Sequence, residues 1–388
     1  MKAIAWKDHL FFAGVAVGFL LAVALGREAA RCSKPAKFER FYWSISPESL
    51  YYPTYATMER LALARWSPGK ILVIVGGNSI LNGAGQPVEE LWSHRLQALL
   101  GPRYAVINLS FRGALPTEGA ALVAEALQRR GIPLIFIANT APDTCGLPVG
   151  SIYGYLYWEA AAAGKLQPYA PRDRTIAKWL AQNYPATREK QLEIKRAARL
   201  NHWLHFQDLW NHVGYHHVFT VWNSVARWTP WAPRNKVPDR EPPLPPVARR
   251  FSHNNAGEMR LARASTERLL TLDDTGQWIK NPVVWDALDT TIEATIVPDL
   301  RPCTLMIFSI DCPYYRNQLT ADELSRDETA YRVAEAVWTR YGIRALVAGF
   351  GYTGEDYVDR RHLAPSGGAK LAELIAAQIL TMQPSPPP

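Results

Sequence analysis

The stretch ILVIVGGNSILNG, Ile71 to Gly83, decides the organisation of this 388-residue chain. Ile71 to Val75 are five apolar residues in a row, four of them β-branched, which is the pattern of a strand buried on both faces of a parallel sheet. The strand should end at Gly76. Gly77 and Asn78 both tolerate positive φ, so the chain can turn sharply there and present Ser79 at the strand's C-terminal tip. Open α/β sheets keep their chemistry at that tip.

Outward from this strand the pattern alternates. Pro87 to Leu100 is amphipathic and predicts a helix; Tyr104 to Leu109 reads as a second strand, Thr117 to Arg130 as a second helix closed by Gly131, and Pro133 to Ala138 as a third strand. A βαβαβ succession predicts a parallel, doubly wound sheet. After an interruption from Cys145 to about Phe251, regular elements resume with Ala256 to Leu272 and a helix Val284 to Ile296. A strand Thr304 to Ile310, a helix Ala321 to Tyr341, a strand Ile343 to Ala348 and a last helix Gly368 to Leu380 follow. A short helix Ala56 to Trp66 is expected ahead of the first strand.

The far end of the chain gives Ser79 a second meaning. Asp359 and His362 lie three apart, just ahead of the last helix. A carboxylate so placed can accept the imidazole Nδ1 proton and aim Nε2 at a serine hydroxyl. Asp311, at the end of the fourth strand, is an alternative partner for the histidine.

Gly77-Asn78-Ser79-Ile80-Leu81-Asn82-Gly83 with Asp359-Arg360-Arg361-His362 resembles the first and last blocks of the SGNH (GDSL-like) hydrolases, Gly-Asp-Ser-(Leu/Ile)-x-x-Gly and Asp-x-x-His. Asn78 stands where that family has aspartate. The resemblance implies a flavodoxin-like three-layer α/β/α fold with Ser79 as nucleophile, His362 as base and Asp359 as its orienting carboxylate. It also implies an oxyanion hole from the Ser79 amide, Gly113 in the loop after the second strand, and Asn139 after the third. Ile137 and Thr140 depart from the family pattern around Asn139. Arg112 and Asn78 are weaker candidates for substrate contact.

Composition sets limits on the partners. The net charge is +8, but the basic residues form no tract of five or more, so no nucleic-acid partner is expected, and an anionic surface or polymer suits the charge equally. No cofactor is expected. Cys32, Cys145, Cys303 and Cys312 show no metal-ligand spacing, and the extended strand between Cys303 and Cys312 holds those two too far apart to bridge.

Leu10 to Gly26 is a run of seventeen uncharged residues flanked by Lys2 and Lys7 before and Arg27, Arg31, Lys34, Lys37 and Arg40 after. Its length predicts a transmembrane anchor, with a cleaved signal peptide as the competing reading through Ala22-Val23-Ala24. The flanking charges alone would keep the bulk of the chain in the cytoplasm. Long downstream domains translocate largely regardless of such charge, and the resemblance to exported, anchored SGNH proteins implies the extracytoplasmic side.

The expected organisation is thus an N-terminal flank (1–9), an anchor (10–26), an aromatic connector (27–68), a first hydrolase part (69–144), a mainly helical, proline-rich insertion (145–255), a second hydrolase part (256–382) and a disordered tail (383–388). Within the insertion, Ser151 to Ala163 and Thr175 to Leu209 have helical composition, while Pro230 to Pro246 predicts an extended surface segment. Asn201 to Trp231 concentrates histidine and tryptophan; His212 and His216 sit at metal-ligand spacing, but an aromatic face packing on core, membrane or partner is preferred.

The function implied is a membrane-anchored serine acyl hydrolase or O-acyltransferase. Its expected partners are an acylated or acyl-accepting polysaccharide and a membrane O-acyltransferase. Two alternatives are a catalytically inactive SGNH scaffold within a membrane complex, motivated by the altered blocks, and a lipid esterase at the bilayer surface, which would prefer long acyl chains.

Overall fold

The β-branched runs pair as one parallel sheet in the computed structural model, which describes residues 6–32, 38–41, 52–142, 144–213, 250–251, 255–267 and 269–384. The strands are β1 (Ile71–Val75), β2 (Tyr104–Asn108), β3 (Leu134–Asn139), β4 (Leu270–Leu272), β5 (Trp278–Lys280), β6 (Thr304–Ser309) and β7 (Arg344–Ala348). Five of them form the sheet in the order β2-β1-β3-β6-β7, all parallel. The order of strand addition therefore reverses between β1 and β3. That reversal opens a crevice at the strands' C-terminal ends, where ligands of open α/β sheets bind.

Alternation along each strand builds two cores. Leu72, Ile74, Ala105, Ile107, Leu134 and Phe136 face the helices Tyr55–Arg65, Ala120–Gln128 and Gly154–Ala162. Ile71, Val73, Val75, Val106, Ile135 and Ile137 face Trp92–Leu100 and the last helix, Pro365–Ile379. Burial on both faces is why these strands read as continuous apolar runs, and the result is an α/β/α arrangement.

Several elements differ from expectation, each for a local reason. The helix expected over Pro87 to Leu100 is a 3₁₀ turn, Val88–Glu90, then a helix from Trp92, with Leu91 extended between them. The next helix starts at Ala120 rather than Thr117, because Gly119 has φ +41°. Thr175 to Leu209 divides into parts of three helices, Ala170–Gln182, Pro185–Leu204 and Phe206–Val213. Pro185 disfavours helix at Tyr184, and His205 adopts φ 54° at the second break. Ala256 to Leu272 resolves into a helix, Asn255–Glu267, and β4, which pairs antiparallel with β5 across the Asp273-Asp274-Thr275-Gly276 turn.

The N-terminal helix runs Trp6–Cys32, and its His9–Ala29 portion is long and apolar enough to cross a membrane. Cys145, Cys303 and Cys312 are free thiols. Residues 42–51 of the connector, the proline-rich Pro230 to Pro246, His216 of the histidine pair and residues 385–388 of the tail lie outside the described residues.

Candidate active site

The turn after β1 is built on one glycine. Gly77 has φ +85°, and a Cβ there would collide with Asn139 Oδ1. Asn78 keeps an ordinary negative φ of −95°, so of the two turn residues only Gly77 uses the left-handed region. Asn78 caps the short helix Ser79–Asn82, its Oδ1 accepting from the Ile80 N–H at 3.0 Å. The same oxygen accepts from Asn139 Nδ2 at 2.7 Å, and Asn139 Oδ1 accepts from the Asn78 backbone N–H at 2.9 Å. A single carbonyl oxygen meets both donors, so asparagine in place of aspartate costs the turn no acceptor.

Ser79 opens that helix. His362 Nε2 lies 2.7 Å from Ser79 Oγ, and His362 Nδ1 lies 2.6 Å from Asp359 Oδ2. Asp359 Oδ1 accepts the backbone N–H groups of His362 at 2.8 Å and Arg361 at 2.9 Å. Burial works to raise the Asp359 pKa, but the hydrogen bonds from His362 and Arg361 outweigh it and hold the carboxyl down to about 2. The side chain is 53% exposed, so water offsets much of the desolvation and the hydrogen bonds set the direction.

The loop after β2 is stapled to the serine helix. Phe111 donates its N–H to the Gly77 carbonyl at 3.1 Å, Asn108 Nδ2 donates to the Leu81 carbonyl at 2.9 Å, and Asn82 Nδ2 donates to the Ser110 carbonyl at 3.0 Å. Gly113 follows in this loop, exposed and with φ +73°. Among the described residues, neither the Ser79 nor the Gly113 amide N–H has an acceptor. Asn139 Nδ2 carries two hydrogens and spends one on Asn78. Arg112 is half-buried, and its carbonyl accepts from the Tyr153 hydroxyl at 2.8 Å.

Asp311 does not serve the histidine. Its Oδ2 pairs with Arg360 Nη1 and its Oδ1 with Arg361 Nε, both at 2.6 Å, while Arg360 also reaches Glu258 at 2.9 Å. The carboxylate thus clamps the 359–362 turn to the end of β6.

Sequence reasoning missed two supports. Gln86 is fully buried; its Nε2 donates to the Leu363 carbonyl at 3.2 Å and its Oε1 accepts the Trp92 N–H at 3.0 Å, joining the serine loop to the histidine loop. Arg40, ahead of the sheet, donates to the carbonyls of Asn82 at 3.3 Å, Gln86 at 2.9 Å, and Gly83. The Gly-rich run around Gln86 was the one available signal: Gly85 has φ +90° and packs so closely on Val358 that no Cβ would fit. Nothing local marked Arg40.

No family model and no curated protein sequence matches the chain. Among solved structures, the native aryl esterase of M. smegmatis aligns over 80% of this chain and 99% of its own, at 11% identity and a TM-score of 0.31. Est24, a carbohydrate acetylesterase from Sinorhizobium meliloti, aligns over the same shares at 11% identity and a TM-score of 0.30. Likeness this loose fixes neither reaction nor substrate.

Proposed function

We propose that the chain is a membrane-anchored serine acyl hydrolase or O-acyltransferase of SGNH type. It acts on ester-linked acyl groups of cell-envelope or secreted polysaccharide from the extracytoplasmic side, with a membrane O-acyltransferase as partner. The observation that carries the reading is the unbroken relay from Ser79 Oγ through both nitrogens of His362 to Asp359. The apolar N-terminal helix supports the anchor, and the motif resemblance supports the substrate class.

In this reading Ser79 Oγ attacks the ester carbonyl carbon and its proton passes to His362 Nε2. Asp359 holds the proton on Nδ1 and stabilises the imidazolium. The Ser79 and Gly113 amides and the second Asn139 Nδ2 hydrogen receive the oxyanion, each such donor being worth roughly a hundred- to a thousandfold in rate. Collapse breaks the ester C–O bond, and the departing alkoxide takes the Nε2 proton. Water or a sugar hydroxyl then gives its proton to His362 and attacks acyl-Ser79; collapse breaks the acyl C–Oγ bond, His362 returns the proton to Ser79 Oγ, and a carboxylic acid or a new ester is released. The two outcomes share every protein group and differ only in the acceptor.

A fluorophosphonate probe applied to the detergent-solubilised full-length chain should label Ser79 and leave Ser79→Ala unlabelled. Normal turnover of a short-chain aryl ester by Ser79→Ala would refute the nucleophile assignment.

A further inference from the structure

The short helix Phe206–Val213 has two chemically distinct sides. Asp208 and Asn211, three apart, point into the body: Asp208 Oδ1 accepts from Thr54 Oγ1 at 2.8 Å, its Oδ2 lies 3.2 Å from His205 Nδ1, and Asn211 Nδ2 donates to the Tyr52 carbonyl at 2.8 Å. Phe206 and Trp210, four apart, stay exposed, and Leu200 and Trp203 extend the apolar face onto the preceding helix. The two inward polar side chains of this helix are therefore satisfied within the protein.

This face is continuous with the N-terminal helix. The Phe206 ring packs edge-on against Phe19, with ring centroids 5.7 Å apart. Gly26 sits so close to His205 that a Cβ would lie 2.7 Å from its carbonyl oxygen, so the crossing depends on a residue without a side chain. On the rest of the N-terminal helix Leu20, Leu21 and Leu25 are exposed. For these to leave water, the hydrocarbon must reach at least to Leu25. Phe19 lies six residues further in, about 9 Å along the axis at 1.5 Å per residue. Phe206, touching Phe19, lies below the same boundary. Arg196 and Arg199 are exposed one to two turns before Trp203, where anionic headgroups would meet them.

We infer that Leu200, Trp203, Phe206 and Trp210 form a shoulder that enters the bilayer beside the N-terminal helix and seats the catalytic body at a fixed height on the membrane. The occupant of this surface is lipid. A single spanning helix would leave the body free to tilt about one pivot, whereas a second, laterally offset insertion removes that freedom. The inference rests on the anchor reading, so the test must separate the two.

The full-length chain, with Cys32 and Cys145 replaced by serine and Cys303 and Cys312 left buried, is spin-labelled at Phe206→Cys and reconstituted into phosphatidylcholine–phosphatidylglycerol nanodiscs. Leu21→Cys reports the anchor, and exposed Leu380→Cys reports water. The shoulder predicts that the Phe206 label is relaxed by oxygen and protected from a nickel chelate, as at Leu21 and unlike Leu380. Trp203→Cys, 66% exposed, gives the same readout if the Phe206 change disturbs packing. Nickel access at 203 and 206 with Leu21 in lipid would overturn the shoulder while sparing the anchor, leaving the face to a protein partner. Nickel access at all three would overturn the anchor reading and the shoulder with it.

Discussion

Replacing Asp359 with asparagine should harm the reaction more than deleting the side chain. Asp359 Oδ1 holds the Arg361 and His362 backbone N–H groups at 2.9 and 2.8 Å, and Oδ2 faces His362 Nδ1 at 2.6 Å. In Asp359→Asn the amide oxygen must stay on the two backbone donors, because an NH₂ there would face two N–H groups. The NH₂ is then turned toward Nδ1 and donates where the carboxylate accepted. His362 responds by carrying its proton on Nε2, so the atom facing Ser79 can no longer take the hydroxyl proton. Restoring the productive tautomer sacrifices that hydrogen bond and opposes two donors, at about 1–3 kcal/mol. Both variants also lose the carboxylate's hold on the imidazolium, about 1.5–2 kcal/mol, the low end for a charged group because water screens a side chain that is 53% exposed. Asp359→Ala should therefore lose roughly 10- to 30-fold in kcat/KM, and Asp359→Asn roughly 10²- to 10⁴-fold. The assay is aryl-ester turnover together with the rate of fluorophosphonate labelling of Ser79, with thermal melts to show that both variants fold. An Asp359→Asn enzyme as fast as Asp359→Ala would refute the tautomer argument.

Asn139→Ala removes the proposed oxyanion donor and both bonds to Asn78, and should cost about 10²- to 10³-fold in kcat with KM little changed; an unaltered kcat would remove Asn139 from the mechanism. Asp311→Asn leaves Arg360 and Arg361 facing a neutral amide, so stability should fall by about 3–5 kcal/mol in denaturant titration, with slower Ser79 labelling. An unchanged midpoint would make the clamp idle. Burial, reinforced by Asp208 and opposed by the Tyr55 N–H, pushes Glu159 up to about 8. The folded state therefore holds a proton that the unfolded chain releases near pH 4.3, and stability declines as pH rises from there to about 8. Glu159→Gln keeps the acceptor for Tyr55 without the charge, so its melting temperature should gain on the parent's across that window; a pH-independent difference would contradict this.

The sheet was legible because β1, β2, β3 and β6 are buried on both faces, which leaves an uninterrupted apolar signature in a single segment, as in Ile71 to Val75. The relay was legible for a related reason: each half is a short local motif, Asn78-Ser79 in one turn and Asp359 to His362 in another. What joins the halves was not. Gln86 bonding Leu363 and Asp311 bonding Arg360 and Arg361 are contacts over 277, 49 and 50 positions, and no periodicity encodes them. The β4–β5 hairpin was missed because three-residue strands carry too little alternation to outweigh an adjoining helix, although Asp273 to Gly276 is turn composition.

Ser79 and His362 are hydrogen-bonded across 283 positions, and the last helix locks beneath Trp92, Leu96 and Leu100 through Leu371, Ile375 and Ile379. A nascent chain thus exposes its hydroxyl long before its base exists. On the acyl-transfer reading, Ser79 stays inert until the final segment docks and brings His362 to it.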